Sequence, residues 1–411
     1  MRDYFHLTDP VHFVFPIDGD CLNCYDGCEK DGTLIVPMTV WAPYNAKLTI
    51  NGIPARYDKE KQLFCADVPV RTYRTTLAAV DSVNGYRAEI VVYRFKDPVK
   101  KTRFHVDDAV LFFYDLAKHP EDYPSLFDHP FLKPLKQAHD LYGSVFNLNI
   151  YYEYDDISAK DFSQHKDYFN LTMMPDTWKA EWEANADWLQ LSYHAHNNYP
   201  SMPFLVQTPE FVGESIRKMQ KEVIRFAGKA TLSHSTTQHW GNGYIENMRA
   251  FRENGYPIQT ASFRVVDDAM PYISFYGSDG LPAHIRGDVI DAYDHTNAAQ
   301  KAVEGIARNV TYTAGATGRD FWHDNQEDVT FVRCDMVLNV IELERIEPWL
   351  TAHIQVPQCS GYLTPMIHEE YFYPDYKRYI PDCAERVLAA CRFAYEHGYE
   401  GKRAEEVVAE F

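Results

Sequence analysis

Near Asp97-Pro98-Val99-Lys100-Lys101 the chain changes its hydrophobic period. Before this charged, Pro-containing stretch the apolar runs are short and β-branched. They fall at residues 33–41, 47–50, 63–68, 75–80 and 88–95, with turn signals at Asn51-Gly52 and Asn84-Gly85. Five or more such runs at this spacing predict a small antiparallel sandwich. Beyond the stretch, strand-like and helix-like segments alternate. A chain with this break builds two kinds of layer, and the expected division is a β-sandwich module over residues 1–99 and an α/β barrel over residues 100–411.

The alternation in the second part runs as follows. Residues 103–106 predict a strand, 129–142 a helix stopped by Gly143, and 144–151 a strand. Residues 177–187 predict a helix, and 188–193 an extended segment. A long helix over 208–227 opens on Thr208-Pro209, a side-chain cap followed by a proline in the first turn. Residues 230–233 predict a strand, 246–254 a helix ended by Gly255, 361–373 a strand running into a loop, and 382–397 a last helix. Repeated β-then-α units favour a parallel sheet or barrel whose functional groups stand at the C-terminal ends of the strands.

Composition limits the partners. The 411 residues are 45% hydrophobic and 24% charged, enough for a sizeable core, and the formal net charge of -19 repels nucleic acid and anionic membranes. No run approaches the roughly 18 apolar residues needed to cross a bilayer. The N-terminus lacks the apolar stretch of a secretion signal, so with Met1 as the native start a cytoplasmic location is expected. Free thiols are then the expected state of the eight cysteines. Cys21, Cys24 and Cys28, with Cys65 as a fourth donor, are a lesser candidate for a structural zinc.

Four strand-end segments carry chemistry-bearing side chains. Asp107-Asp108 closes the run Arg103-Phe104-His105-Val106. Neighbouring residues of a strand face opposite ways, but where the chain bends two carboxylates converge, and a cation bound by one leaves the other free as a base. In Tyr193-His194-Ala195-His196-Asn197-Asn198, positions 194, 196 and 198 share parity and so share a face, a donor pattern suited to a divalent metal. His239-Trp240-Gly241 lies in a loop between a strand and a helix, where Trp240 offers an apolar wall to a sugar ring. Met366-Ile367-His368-Glu369-Glu370-Tyr371 delivers a histidine, able to donate a proton near neutral pH, beside two carboxylates. Phe321-Trp322-His323-Asp324 is a weaker candidate for lining the cleft.

In this order the features resemble the polysaccharide deacetylase (NodB-homology) family, over roughly residues 100–400. The resemblance rests on Asp107-Asp108 after an apolar strand, His194 in the second motif, Trp240-Gly241 and Asn254-Gly255 in the third, and Met366-Ile367-His368 in the last. It implies a distorted (β/α)7-type barrel, with Asp107 as base, Asp108 and His194 as metal ligands and His368 as general acid. The chain departs from the family pattern at two points. The second histidine of the family's His-x-x-x-His is Asn198 here, with His196 between, so the third ligand is either His196 or Asn198. The arginine that orients the base is absent, and His239 stands in its place.

The expected activity is a metal-dependent hydrolase, with Zn²⁺ as the expected cofactor, that removes an acyl group from an amino sugar or oligosaccharide. The alternatives are a C–N hydrolase acting on a non-sugar amide or cyclic ureide, and a catalytically silent carbohydrate-binding protein. His239, Trp240, Trp322 and Tyr371 are the expected substrate contacts. The expected partners are a carbohydrate or small amide and no nucleic acid or membrane, with a homo-oligomer as an allowed assembly.

Overall fold

The computed structural model describes residues 9–201, 203–243, 245–260, 272–273, 319–357 and 360–409. Cys359 and the N-terminal residues 1–6 lie outside the described residues.

The β-branched runs of the first hundred residues form two facing sheets of five strands each. Thr33–Trp41 is central to one sheet, antiparallel to both His12–Phe15 and Leu63–Val70. Its alternation puts Leu34, Val36, Met38 and Val40 inside, against Leu77, Ala79, Ile90 and Val92 of the other sheet. In that second sheet Arg74–Asp81 pairs antiparallel with Arg87–Arg94 and with Leu48–Ile50. Asn51 and Gly52 take left-handed backbone angles (φ 48° and 79°), the conformation that a two-residue hairpin demands of its turn.

The barrel strands are named here in chain order: β1 (Phe104–Ala109), β2 (Phe146–Tyr151), β3 (Leu189–Ala195), β4 (Ser235–Thr237), β5 (Ile258–Thr260), β6 (Val329–Val332), β7 (Met336–Val337) and β8 (Pro365–His368). They form two parallel sheets. One has the order β3-β2-β1-β8-β7. The other has β4-β5-β6, with Phe321–Asp324 antiparallel on β6. A single parallel bridge between Leu191 and Leu232 joins them into a distorted barrel. Every residue of β1, β2 and β3 is buried, because helices cover the outer face while side chains fill the inner one.

The helices that matter to the site are α1 (Leu111–Lys118), α2 (Leu132–Tyr142) and α3 (Pro209–Phe226). Leu132, Leu135 and Ala138 are the buried stripe of α2, and Gly143 ends it at φ 66° with its N–H on the His139 carbonyl. Thr208 caps α3 by accepting from the Phe211 N–H, and Pro209 stands in the first turn. Helix α1 has no cap of its own. Glu369, from the far end of β8, accepts the amides of Val110, Leu111 and Phe112 at 2.6–2.9 Å. That carboxylate fixes the end of β8 against the end of β1.

One strand lies elsewhere than the sequence pattern predicts. Residues 229–231 form a 3-10 turn, and the strand is Ser235–Thr237. Its side chains are polar and buried, so hydrophobic periodicity could not reveal it. The barrel interior at this level is a hydrogen-bonded layer rather than a greasy one: Asn149 binds Thr237, and Asn147 binds Ser192.

Candidate metal centre

Asp107 and Asp108 stand at a bulge. Val106 pairs with Leu148, yet the next partner of β2, Ile150, pairs with Ala109, so β1 carries one extra residue there. Asp108 takes it up at φ 59°, a left-handed conformation uncommon for any residue but glycine. The bulge defeats strict strand alternation. Both carboxylates turn to the same end of the barrel, buried to 2% and 7% exposure.

Three donors then converge. Asp108 Oδ1 lies 3.0 Å from His194 Nε2 and 3.1 Å from His239 Nδ1, and the two imidazole nitrogens are 3.1 Å apart. Each ring is held from behind by a backbone carbonyl: His194 Nδ1 donates to the Thr237 carbonyl at 2.6 Å, and His239 Nε2 to the Asn198 carbonyl at 3.1 Å. With the outer nitrogens donating, both inner nitrogens present lone pairs to the same point as the carboxylate. Lone pairs that face each other this closely call for a cation between them. In a tetrahedral site with bonds of ~2.05 Å, ligand atoms stand about 3.3 Å apart, and the observed spacing agrees. The donor set therefore fits a divalent metal. Among the described residues, this is the one group of three acidic, histidine or cysteine side chains close enough to hold an ion. Cys21, Cys24, Cys28 and Cys65 are free thiols.

The electrostatics agree. Burial pushes the Asp108 carboxyl up, but positive charge at the two imidazole nitrogens, the place a cation would take, holds it well below the usual carboxylate range. Burial also pushes up Asp107, and the His194 charge with the His105 hydrogen bond brings it below its ordinary value. Tyr151 adds its hydroxyl at the rim of the triad, on Asp108 Oδ1 and 3.0 Å from His239 Nδ1.

Asp107 is gripped by Asn149, whose amide donates at 2.5 Å, with His105 Nδ1 at 3.4 Å. Thr237 Oγ1 links the two partners, 3.1 Å from each. No arginine is needed to orient it. Asp107 and His368 are register partners on the adjacent parallel strands β1 and β8, about 4.8 Å apart across the sheet. Asn339 Oδ1 holds His368 Nδ1 at 2.9 Å.

The other sequence-predicted residues divide. The structure brings His239, and neither His196 nor Asn198, up to Asp108 and His194. Strand β3 ends at Ala195, so parity no longer governs the side chains beyond it. His196 turns outward, stacks on Tyr152 and binds Ser215 Oγ at 2.9 Å. Asn198 supports His239 through its carbonyl and meets Tyr151 through its amide oxygen at 3.2 Å. His239 is thus a member of the triad. Trp240 follows it at φ 64°, with its ring 6.0 Å from the His239 ring, and Tyr371 lies 6.1 Å from the His368 ring. Trp322 is not brought to this site. Its indole donates to the Asp18 carbonyl at 2.8 Å and stacks on Phe331, at the contact with the N-terminal sandwich. Sequence reasoning missed Asn149, His105 and Tyr151, which lie within strands read only for their apolar neighbours.

No family model matches the chain, and no curated protein matches it. Among solved structures it is similar to the Xyl-CE4 domain of a multidomain xylanase from the hindgut metagenome of Trinervitermes trinervoides. That match has 7% identity and a TM-score of 0.32, over 75% of this chain and 89% of that one. It is also similar to a mutant of BA3943, a CE4 family pseudoenzyme (10%, 0.37, 86% and 91%). A third is Agd3, a novel carbohydrate deacetylase (7%, 0.38, 92% and 71%). Its structural neighbours include CE4 domains. The chemistry rests on the residues themselves.

Proposed function

We propose that this chain is a metal-dependent deacetylase that hydrolyses an N-acetyl or O-acetyl group on a sugar. The observation that carries the reading is the closed Asp108–His194–His239 triad flanked by Asp107 and His368 on register-paired strands. Asp108, His194 and His239 would hold the cation, Zn²⁺ or an ion of similar preference. Bound there, such an ion supplies Lewis-acid activation of water and of the acyl oxygen.

The chain's own groups do the rest. Asp107, ionised and aimed by Asn149 and His105, takes the proton of the attacking water. His368 hands a proton to the departing amine or alcohol, and Asn339 fixes its ring for that transfer. Asp107 and His368 stand side by side at the ends of adjacent strands, which favours base and acid serving one site. Trp240 supplies an apolar surface to the sugar. The triad is complete, which favours turnover over a silent binding role.

The test is acetate release from acetylated amino-sugar oligomers and acetylated xylo-oligomers. Activity should vanish after exhaustive chelation and return with added Zn²⁺ or Co²⁺. Turnover that survives chelation removes the metal from the mechanism.

A further inference from the structure

Arg103 stands one residue before β1 and shares the inward parity of His105 and Asp107. It is buried to 1% exposure. Its guanidinium reaches across the barrel interior to β4 and β5: Nη1 donates to Ser235 Oγ, and Nη2 donates to Thr260 Oγ1 at 2.9 Å. Both acceptors are neutral. Among the described residues no carboxylate pairs with Arg103. Arg333, buried nearly as deeply at 3%, has Asp335 Oδ1 at 3.3 Å. A charge taken out of water needs an opposite charge, and two hydroxyl dipoles do not supply one.

The protons around Arg103 point the same way. Its Nε is buried and donates to no described group. Thr260 Oγ1 spends a lone pair on Arg103, while its own proton goes to no described acceptor. Ser233 Oγ accepts from the Ser235 N–H at 3.1 Å and stands 3.0 Å from Ser235 Oγ. One proton serves that pair of hydroxyls, and the other is left over. Ser233, Ser235 and Thr260 are themselves buried, at 4% exposure or less. A positive charge and a surplus of donors therefore meet in one closed place.

We propose that Arg103, Thr260 and the Ser233–Ser235 pair bind a small monovalent anion of the halide class inside the barrel. One negative charge balances the one guanidinium, and the lone pairs of the anion take the leftover protons. A water molecule supplies no charge and brings two more protons to a place already short of acceptors. Sulfate or phosphate adds bulk and a second charge that a single arginine does not balance. Chloride is the abundant member of the class in water. Bound there, it ties the start of β1 to β4 and β5 through the interior, independently of the metal reading.

The test uses crystals of the full chain soaked in sodium bromide, and melting of the same chain in sodium chloride against sodium gluconate at equal ionic strength. Bromide is expected to give an anomalous peak in contact with Arg103 Nε and Thr260 Oγ1. Chloride is expected to raise the melting temperature over gluconate by about 2 °C, the shift for a ligand held roughly tenfold above its dissociation constant. Arg103→Met should abolish that difference. Thr260→Val keeps the guanidinium, should shrink the difference, and secures the test if the Met variant does not fold. The absence of an anomalous peak at Arg103 overturns the proposal. So does a chloride difference that the variants retain in full, because the anion then acts elsewhere. A bromide peak with no chloride-dependent shift means binding at crystal concentration only, and overturns it as well.

Discussion

Asp107 and His239 have distinct tasks, and single substitutions should separate them. Asp107→Asn removes a base and leaves the donors, so it should cut turnover by about 10²–10⁴-fold while bound metal, measured by elemental analysis, stays at the wild-type level. His239→Ala should lose the metal, and His196→Ala should keep it, since His196 is committed to Ser215. Metal loss in the His196 variant alone would restore the ligand set first read from strand parity. A different histidine governs pH. His165 bridges Asp115 at 3.0 Å and Asp375 at 2.9 Å. Burial lowers its affinity for a proton, but the two carboxylates outweigh burial and raise it to about 9. The unfolded ring titrates near ~6.5. Its contribution to stability is therefore fully present below pH ~6.5 and is lost as the pH rises through about 9. Melting temperature should fall across that window, and His165→Asn should remove that part of the fall.

Elements show which parts of the sequence could be read in advance. Gly143 and Thr208-Pro209 mark helix ends by local backbone chemistry, and the structure ends α2 and begins α3 there. Asp107-Asp108 and His368 were visible because each follows an apolar run that stops abruptly. His239 was harder to place: its strand is polar and pairs across a seam, so nothing near it in sequence announces that it meets Asp108. Asn149 and Tyr151 sit inside a fully buried strand, where inward and outward positions look alike. The capping of α1 was equally hidden, because the capping carboxylate is more than 250 residues away. Glu369→Ala strands three buried amides, each costing about 1–3 kcal/mol. It should lower the melting temperature by far more than Glu370→Ala, and equal effects would argue that the cap carries no stability.

For the molecule as a whole, the sandwich is anchored to the barrel by ions as well as by rings. Arg319 is largely buried and binds both oxygens of Asp26 and the Cys21 carbonyl, while Phe95 packs against Phe321. Asp26→Ala leaves a buried guanidinium without its main partner, a change that costs about 3–5 kcal/mol. Reduced melting temperature and faster proteolysis at the contact are expected, and an unchanged thermogram would mean that the ring contacts alone hold the two parts. The seam on the other flank works differently. Strands β3 and β4 share almost no ladder: the Leu191–Leu232 bridge, with the Ser233 N–H on the Leu191 carbonyl, and the side-chain bonds His194–Thr237 and Thr236–Tyr193. Asp108 and His194 come from one side of that seam and His239 from the other. An ion bound by all three is consequently a rivet through the barrel wall. Stripping it should loosen β4 and β5 first, seen as faster amide exchange there than in β1 and β2, and refilling it should close the wall before any substrate arrives.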